Sequence, residues 1–196
     1  MSLYLIRHGQ TRGNLERRYT GCRTDEPLCP EGAETLKRLR PPAVSRVICS
    51  PMKRCLQSAG ILFPGSLPEI VPDFRECDFG DFEGRNFEEL KDSAAYRAWV
   101  SSGGGLPFPG GESREAFAAR CVRAFGALRL WEGRGDCALV VHGGTVMAIL
   151  EAYARPAGGY FDFQTGCGEG YVLEEDGWYR KFGPAFAAAA DRKSVV

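Results

Sequence analysis

The feature of this chain that most restricts its fold is a series of short apolar runs, each followed by a segment with helical periodicity. The run that starts at Cys137 reads CALVVH, and a helical pattern from Thr145 to Tyr153 follows it. Strands that are apolar along their whole length are typical of parallel sheets covered by helices on both faces. The sequence therefore predicts an α/β fold.

The same alternation continues along most of the chain. The Gly/Pro-rich stretch SSGGGLPFPGGE interrupts it and is interpreted as a surface loop, because too little chain follows for a second unit of this kind. The remaining predicted strands are Leu3 to Ile6, Arg46 to Cys49, a short piece around Ile70, and a pair at Gly170 to Glu174 and Trp178 to Phe182. The remaining predicted helices are Glu31 to Arg40, Met52 to Leu62, Phe87 to Val100 and Arg114 to Trp131.

Length and charge place further limits on the fold and on the partners. A chain of 196 residues is long enough for one sizeable core, so we predict one three-layer α/β/α domain over residues 1–184 with a mostly parallel central sheet, and a tail over 185–196. Lys+Arg and Asp+Glu both number 25, so no overall field favours nucleic acid or an anionic membrane. Any anion site must therefore be local.

The cysteines and histidines indicate an intracellular protein without a metal. None of the eight cysteines forms a CxxC pair, and two histidines are too few for the usual zinc patterns. The first apolar run is too short for a secretory signal, and no apolar segment is long enough to cross a bilayer. We expect a soluble cytoplasmic protein with reduced thiols and no cofactor.

Both histidines of the chain follow apolar runs and precede glycine, in YLIRHG and ALVVHG. The carboxyl ends of strands in an open parallel sheet meet where ligands bind, so His8 and His142 are expected to lie close together, with Arg7 beside them. The alternative is that each is an ordinary strand-end histidine with local partners.

A second arginine points to the same edge of the sheet. In VICSPMKRCLQSA a strand runs into Ser50-Pro51, which we interpret as a helix N-cap followed by proline at the first helical position. Arg54 would then lie about one turn into the helix and reach back over the strand end, where free amide groups also favour an anion. The alternative is a solvated surface arginine.

The loop FRECDFGDFEG carries four carboxylates, Glu76, Asp78, Asp81 and Glu83. A carboxyl group among apolar side chains can have a raised pKa and act as a general acid, but spacing alone selects none of the four. Asp-Phe-Gly also occurs in kinases, but the chain has no Gly-rich strand pair or strand lysine motif to support that interpretation.

The ordered segments LIRHGQTRGN, SPMKRCLQSA, ECDFGDFEG and VVHGG resemble the histidine phosphatase superfamily, also called the phosphoglycerate mutase-like family. The resemblance runs from about Leu3 to Leu173. It implies a single α/β domain and a phosphohistidine intermediate. The positions that it assigns are His8 as nucleophile, Arg7, Arg54 and His142 as phosphate ligands, Glu76 as proton donor, and Asn14, Thr20, Gly21 and Gly143 as substrate-binding residues.

The resemblance implies a metal-independent phosphomonoesterase that acts on a small phosphorylated metabolite. At this length the chain looks most like the compact phosphatase branch, which includes α-ribazole phosphatase-like proteins. A phosphoglycerate mutase-type phosphotransferase and a non-catalytic phospholigand-binding protein stay open as alternatives, and a monomer and a homodimer are both possible. Relative to the family, Cys29 loses a likely helix-capping side chain.

Overall fold

The computed structural model describes residues 1–133 and 135–183. Its centre is a six-stranded sheet in the order β3-β2-β4-β1-β5-β6. The strands are β1 (Ser2–Arg7), β2 (Arg46–Cys49), β3 (Glu69–Ile70), β4 (Cys137–Val141), β5 (Gly170–Glu174) and β6 (Tyr179–Phe182). Neighbouring strands from β3 to β1 are parallel, whereas β5 and β6 are antiparallel to their neighbours. The predicted, mostly parallel sheet is confirmed.

Helices cover both faces of this sheet. They are α1 (Arg12–Leu15), α2 (Pro30–Lys37), α3 (Lys53–Leu62), α4 (Phe87–Leu90), α5 (Ala94–Ser101), α6 (Arg114–Ala127) and α7 (Gly143–Tyr153). Alternate residues of the strands enter two separate apolar clusters, as the pleat of a sheet requires. On one face Leu139 and Val141 pack with residues of α6 and α7, and on the other Ala138 and Val140 pack with residues of α2 and α3. The result is the predicted three-layer α/β/α arrangement.

Two of the predicted helix boundaries are wrong for local reasons. The stretch Phe87 to Val100 forms two helices, because Ser93 caps α5 by accepting a hydrogen bond from the amide of Tyr96 at 3.4 Å. The prediction of Arg114 to Trp131 is also too long: α6 ends at Ala127, since Arg129 adopts a left-handed backbone conformation with φ of 45°. A short 3-10 turn follows over Leu130–Glu132.

Two capping interpretations also need correction. Ser50 and Pro51 do not begin a helix: the N-cap of α3 is Met52, and the helix starts at Lys53. Cys29, in contrast, does cap α2, because its sulfur accepts a hydrogen bond from the amide of Gly32 at 3.3 Å. The thiol thus retains the capping contact that we expected the cysteine to lose.

All eight cysteines are free thiols, and six of them are buried. No helix in the described part of the chain is both long enough and apolar enough to span a membrane. The predicted tail over 185–196 lies outside the described residues.

Candidate active site

Strands β1 and β4 bring the two histidines together at the carboxyl edge of the sheet. Arg7 is in register with Val141, and the amide of His8 donates to the carbonyl of Val141 at 2.9 Å. His8 and His142 therefore follow adjacent parallel strands at the same level. Their ring centroids are 5.2 Å apart and the rings are inclined by 68°. Neither residue is more than 3% exposed, so both rings are buried.

The hydrogen bond of His8 defines which ring nitrogen is free. Its Nδ1 lies 2.7 Å from the carbonyl oxygen of Gly9. A carbonyl only accepts, so Nδ1 carries the hydrogen and the neutral ring leaves its lone pair on Nε2. This is the backbone acceptor that a nucleophilic histidine requires.

The ring of His142 is held through Nε2, the nitrogen that His8 leaves free. Its Nε2 is 2.7 Å from the hydroxyl oxygen of Ser50, which is fully buried at the end of β2. When this hydroxyl donates to Nε2, Nδ1 carries the hydrogen and can donate to an anion. The serine that the sequence suggested as a helix cap is therefore used to orient a histidine.

Both histidines are neutral at physiological pH. Burial holds the pKa of His8 well below its usual value, and the guanidinium groups of Arg54 and Arg7 lower it further. Burial and then Arg54 likewise hold the pKa of His142 well below the ordinary value. A neutral imidazole is the form that can attack phosphorus.

Arg7 projects from the end of β1 with part of its guanidinium unpaired. Nη1 donates to the carbonyl of Thr165 at 2.6 Å, whereas the buried Nε has no partner in the described part of the chain. A Cβ added to Gly143 would lie 3.5 Å from this Nε. The arginine thus packs directly against the first turn of α7.

Arg54, the second residue of α3, is completely buried. Its Nη1 donates to the carbonyl of Thr24 at 2.8 Å, and its Nη2 lies 3.1 Å from the carbonyl of Gly21 and 3.4 Å from that of Thr20. Its Nε, like that of Arg7, is buried without a partner among the described residues. The first amide of α3 is not free, because Lys53 donates it to Asp25 at 2.7 Å. The anion-binding capacity here therefore belongs to the guanidinium group more than to the helix end.

Comparison with Arg120 shows how unusual these two arginines are. Arg120 is buried like Arg54, but its Nε and Nη2 both donate to the carboxylate of Glu112 at 2.8 Å. Within the described chain, neither Arg7 nor Arg54 forms an ion pair with a carboxylate. A buried charge without a counter-ion is costly, and an anionic ligand would supply what is missing. We call Arg7, His8, Arg54 and His142 the histidine-arginine pocket.

Glu76 is the carboxylate of the acidic loop that faces this pocket. It is 8% exposed, and its Oε1 accepts from the amide of Cys77 at 3.0 Å. Burial raises its pKa, opposed by the Cys77 amide and by the guanidiniums of Arg54 and Arg7. A Cβ on Gly144 would come within 2.6 Å of Oε1, so the close approach of Glu76 to α7 requires glycine there.

The other three carboxylates of the loop have different surroundings. Asp78 forms an ion pair with Arg23, and Asp81 is exposed. Glu83 accepts three main-chain hydrogen bonds at 2.9 to 3.0 Å, from the amides of Gly21, Arg23 and Thr24. The structure therefore separates Glu76 from the three carboxylates that spacing alone did not distinguish.

The four residues expected to bind substrate have different surroundings. Gly143 begins α7 next to Arg7. Thr20 and Gly21 present their carbonyl oxygens to Arg54, and the amide of Gly21 is already bound to Glu83. The side-chain oxygen of Asn14 accepts from the amide of Thr11 at 3.1 Å as part of a capping box. Thr20, Gly21 and Asn14 thus have structural contacts of their own.

A cavity of about 330 Å³ opens beside Arg7, Glu76 and Gly143. Aromatic residues are the largest group in its wall, which also includes Arg114, Gln164 and Thr165. The aromatic residues are Tyr19, Phe79, Trp99, Phe108, Phe117, Tyr160 and Phe161. We call this space the aromatic cavity.

Sequence reasoning missed several parts of this arrangement. The link from Ser50 to His142 and the role of Glu83 in holding the 21–24 loop are contacts between distant segments, which no local pattern reveals. The aromatic cavity likewise collects residues from separate parts of the chain. Among the described residues, no group of three or more His, Cys, Asp or Glu side chains is arranged to hold a metal ion.

Comparison with known proteins agrees with this geometry. The chain is 31% identical over 178 residues to an adenosylcobalamin/alpha-ribazole phosphatase of Salmonella typhimurium, covering 85% of this chain and 88% of that protein. It is 32% identical over 152 residues to a probable phosphoglycerate mutase of an Enterobacter species, covering 73% and 70%. A crystal structure of a putative alpha-ribazole-5'-P phosphatase from Escherichia coli superposes with a TM-score of 0.81 at 24% identity, over 94% of this chain and 97% of that chain, which shows the shared fold.

The family model of the histidine phosphatase superfamily (branch 1) matches residues 3–179, which include both histidine-bearing strand ends and Glu76. This agrees with the family resemblance that the four motifs indicated. The chain therefore belongs to the histidine phosphatase superfamily, whose relatives are named as phosphatases and phosphoglycerate mutases.

Proposed function

We propose that this protein hydrolyses phosphomonoesters through a phosphohistidine formed at Nε2 of His8. The observation that carries the proposal is the state of His8: a neutral ring with its Nδ1 bound to a carbonyl, beside the buried guanidinium of Arg54 and the half-buried guanidinium of Arg7. Neither guanidinium pairs with a carboxylate among the described residues. Such a site supplies a nucleophile and neutralises the charge of a phosphoryl group.

In the first step, Nε2 of His8 forms a bond to phosphorus while the bond from phosphorus to the ester oxygen breaks. The guanidiniums of Arg7 and Arg54, together with His142, stabilise the negative charge of the phosphoryl oxygens. The leaving alkoxide needs a proton, and Glu76 is our candidate donor because burial raises its pKa above that of an exposed glutamate.

In the second step, water attacks phosphorus and the bond to Nε2 breaks. Glu76 is now ionised and takes the proton of the water, and phosphate leaves. The two steps together return His8 and Glu76 to their starting states, so the cycle needs no redox partner. Neither step requires a metal ion or a cofactor.

For the substrate, we propose α-ribazole phosphate or another phosphate ester whose leaving group carries a planar ring. The aromatic cavity supports this choice, because flat aromatic side chains favour stacking with a planar ring. The printed name of the Salmonella relative points in the same direction. A cytoplasmic location would suit its many free thiols.

Detection of the intermediate tests the proposal. We expect quenching in alkaline denaturant during turnover to trap a base-stable, acid-labile phosphoenzyme that maps to His8, and His8→Gln to lack it. A variant His8→Gln that still hydrolyses esters at the parent rate would refute the mechanism. A panel with α-ribazole 5′-phosphate, 3-phosphoglycerate and fructose phosphates would define the substrate.

Replacing Glu76 by Gln tests the proton donor. We expect a large loss of kcat/KM on a sugar phosphate, whose alkoxide needs protonation, and a smaller loss on p-nitrophenyl phosphate, whose phenolate is a better leaving group. Equal activity of Glu76→Gln and the parent on both substrates would contradict this role.

A mutase would transfer the phosphoryl group to a second substrate instead of water. The similarity to a probable phosphoglycerate mutase keeps this second candidate relevant. Incubation with 3-phosphoglycerate distinguishes the two: we expect release of phosphate to exceed isomerisation, and faster isomerisation would favour the mutase.

A further inference from the structure

Thr165 has a buried hydroxyl group that takes no part in the two proposed steps of the reaction. The residue is 7% exposed and follows the 3-10 turn Tyr160–Phe163. Its carbonyl oxygen accepts from Nη1 of Arg7 at 2.6 Å, so the main chain at this position already has a structural role. Its Oγ1 is buried and has no hydrogen-bond partner among the described residues.

A buried hydroxyl without a partner lowers stability, because it loses its hydrogen bonds to water and gains none in return. A valine has nearly the same shape and would fill this position without that cost. Thr165 also lines the aromatic cavity together with Arg7 and Glu76. The missing partner of its hydroxyl group can therefore come from a molecule bound in that cavity.

We infer that the Thr165 hydroxyl hydrogen-bonds to a polar group of the leaving alcohol and so contributes to substrate specificity. The inference rests on the proposed phosphatase function. The phosphoryl oxygens already have the donors of the histidine-arginine pocket, whereas the wall of the aromatic cavity offers the rest of the substrate few polar side chains, among them Thr165, Arg114 and Gln164. An uncharged hydroxyl that can both donate and accept is suited to a hydroxyl group close to the ester oxygen.

Two substrates separate this contact from a contact to phosphate. Ribose 5-phosphate carries hydroxyl groups on its leaving group, and p-nitrophenyl phosphate carries none. For Thr165→Val we expect kcat/KM on ribose 5-phosphate to fall about tenfold, as for loss of one buried hydrogen bond, while kcat/KM on p-nitrophenyl phosphate stays within about twofold of the parent. Thr165→Ser keeps a hydroxyl and serves as the matched control, with most activity on ribose 5-phosphate retained.

Three results would overturn the inference. Equal losses of kcat/KM on both substrates would indicate a contact with the phosphoryl group. No loss of kcat/KM on either substrate would show that the hydroxyl does not contact the substrate. A Ser variant as impaired as the Val variant would indicate a packing role. If Thr165→Val does not fold, Thr165→Ala carries the same expectation. A parent protein that hydrolyses neither ester would instead refute the proposed function itself, so the two failures are distinguishable.

Discussion

Replacing Glu83 by Ala should damage the site without touching any residue of the histidine-arginine pocket. The carboxylate accepts the amides of Gly21, Arg23 and Thr24 on one oxygen. Two residues of this loop, Gly21 and Thr24, present carbonyls to Arg54. Loss of the carboxylate therefore releases the loop that holds the guanidinium group in position.

The size of the effect follows from the contacts. A hydrogen bond to a charged group contributes about 1.5 to 3 kcal/mol, and three that share one oxygen of a half-buried carboxylate are not additive. We expect Glu83→Ala to lower the free energy of unfolding by about 3 kcal/mol, which corresponds to a fall in Tm of about 6 to 12 °C for a chain of this length. We also expect kcat/KM to fall by about tenfold or more at a temperature at which the variant is folded.

Urea unfolding followed by circular dichroism, together with steady-state kinetics, measures both quantities. Asp81→Ala is the matched control, because it removes an exposed carboxylate from the same loop. We expect this control to change stability by less than about 0.5 kcal/mol. A folded Glu83→Ala protein with parental kcat/KM would show that the loop does not position Arg54.

Gly144→Ala should lower kcat/KM strongly, since the new Cβ would lie 2.6 Å from Oε1 of Glu76. Gly60→Ala adds a Cβ in open space inside a helix and should instead raise the free energy of unfolding by about 0.5 to 1 kcal/mol. Kinetics and urea unfolding measure both variants, and a Gly144→Ala protein with parental activity would contradict the packing. Because the pKa values of His8 and His142 are held well below 6.5, the unfolded chain takes up protons that the folded chain does not as pH falls below that value. Their contribution to the free energy of unfolding should therefore decrease on acidification, by up to about 1.4 kcal/mol per pH unit for each histidine. Between pH 7.5 and 5.5 the free energy of unfolding of His8→Asn should depend less steeply on pH than that of the parent. Glu76, with its raised pKa, acts in the opposite direction in both proteins and cancels in the comparison. Vanadate, which imitates the trigonal transition state, should inhibit at lower concentration than phosphate, and equal inhibition by both would contradict a transition-state fit.

The pairing of His8 with His142 could be predicted because it follows from general properties of parallel sheets. Both residues end apolar runs, and the register of β1 with β4 then places them side by side. Apolar patterning acts along whole strands and is therefore visible in the sequence. The mostly parallel sheet was predictable for the same reason.

Contacts that join distant segments could not be predicted in this way. Ser50-Pro51 has the local pattern of a helix start, but the Ser50 hydroxyl binds His142, a residue 92 positions away, and α3 begins later. Glu76 could not be separated from its neighbours by spacing, since its burial depends on α7 passing over it with glycine at position 144. The role of each site residue in turnover stays a prediction until the variants above are measured.

The guanidiniums of Arg7 and Arg54 act on the pKa values of both His8 and Glu76. Arg7 and Arg54 both lower the pKa of His8, which adds to the effect of burial and favours the neutral ring. The same groups also lower the pKa of Glu76, but there they oppose burial, which raises it. A carboxyl group that must give a proton in one step and take one in the next needs a pKa that is raised only moderately. One pair of arginines can thus serve phosphate binding, nucleophile activation and proton transfer, and a carboxylate partner for either arginine would weaken all three.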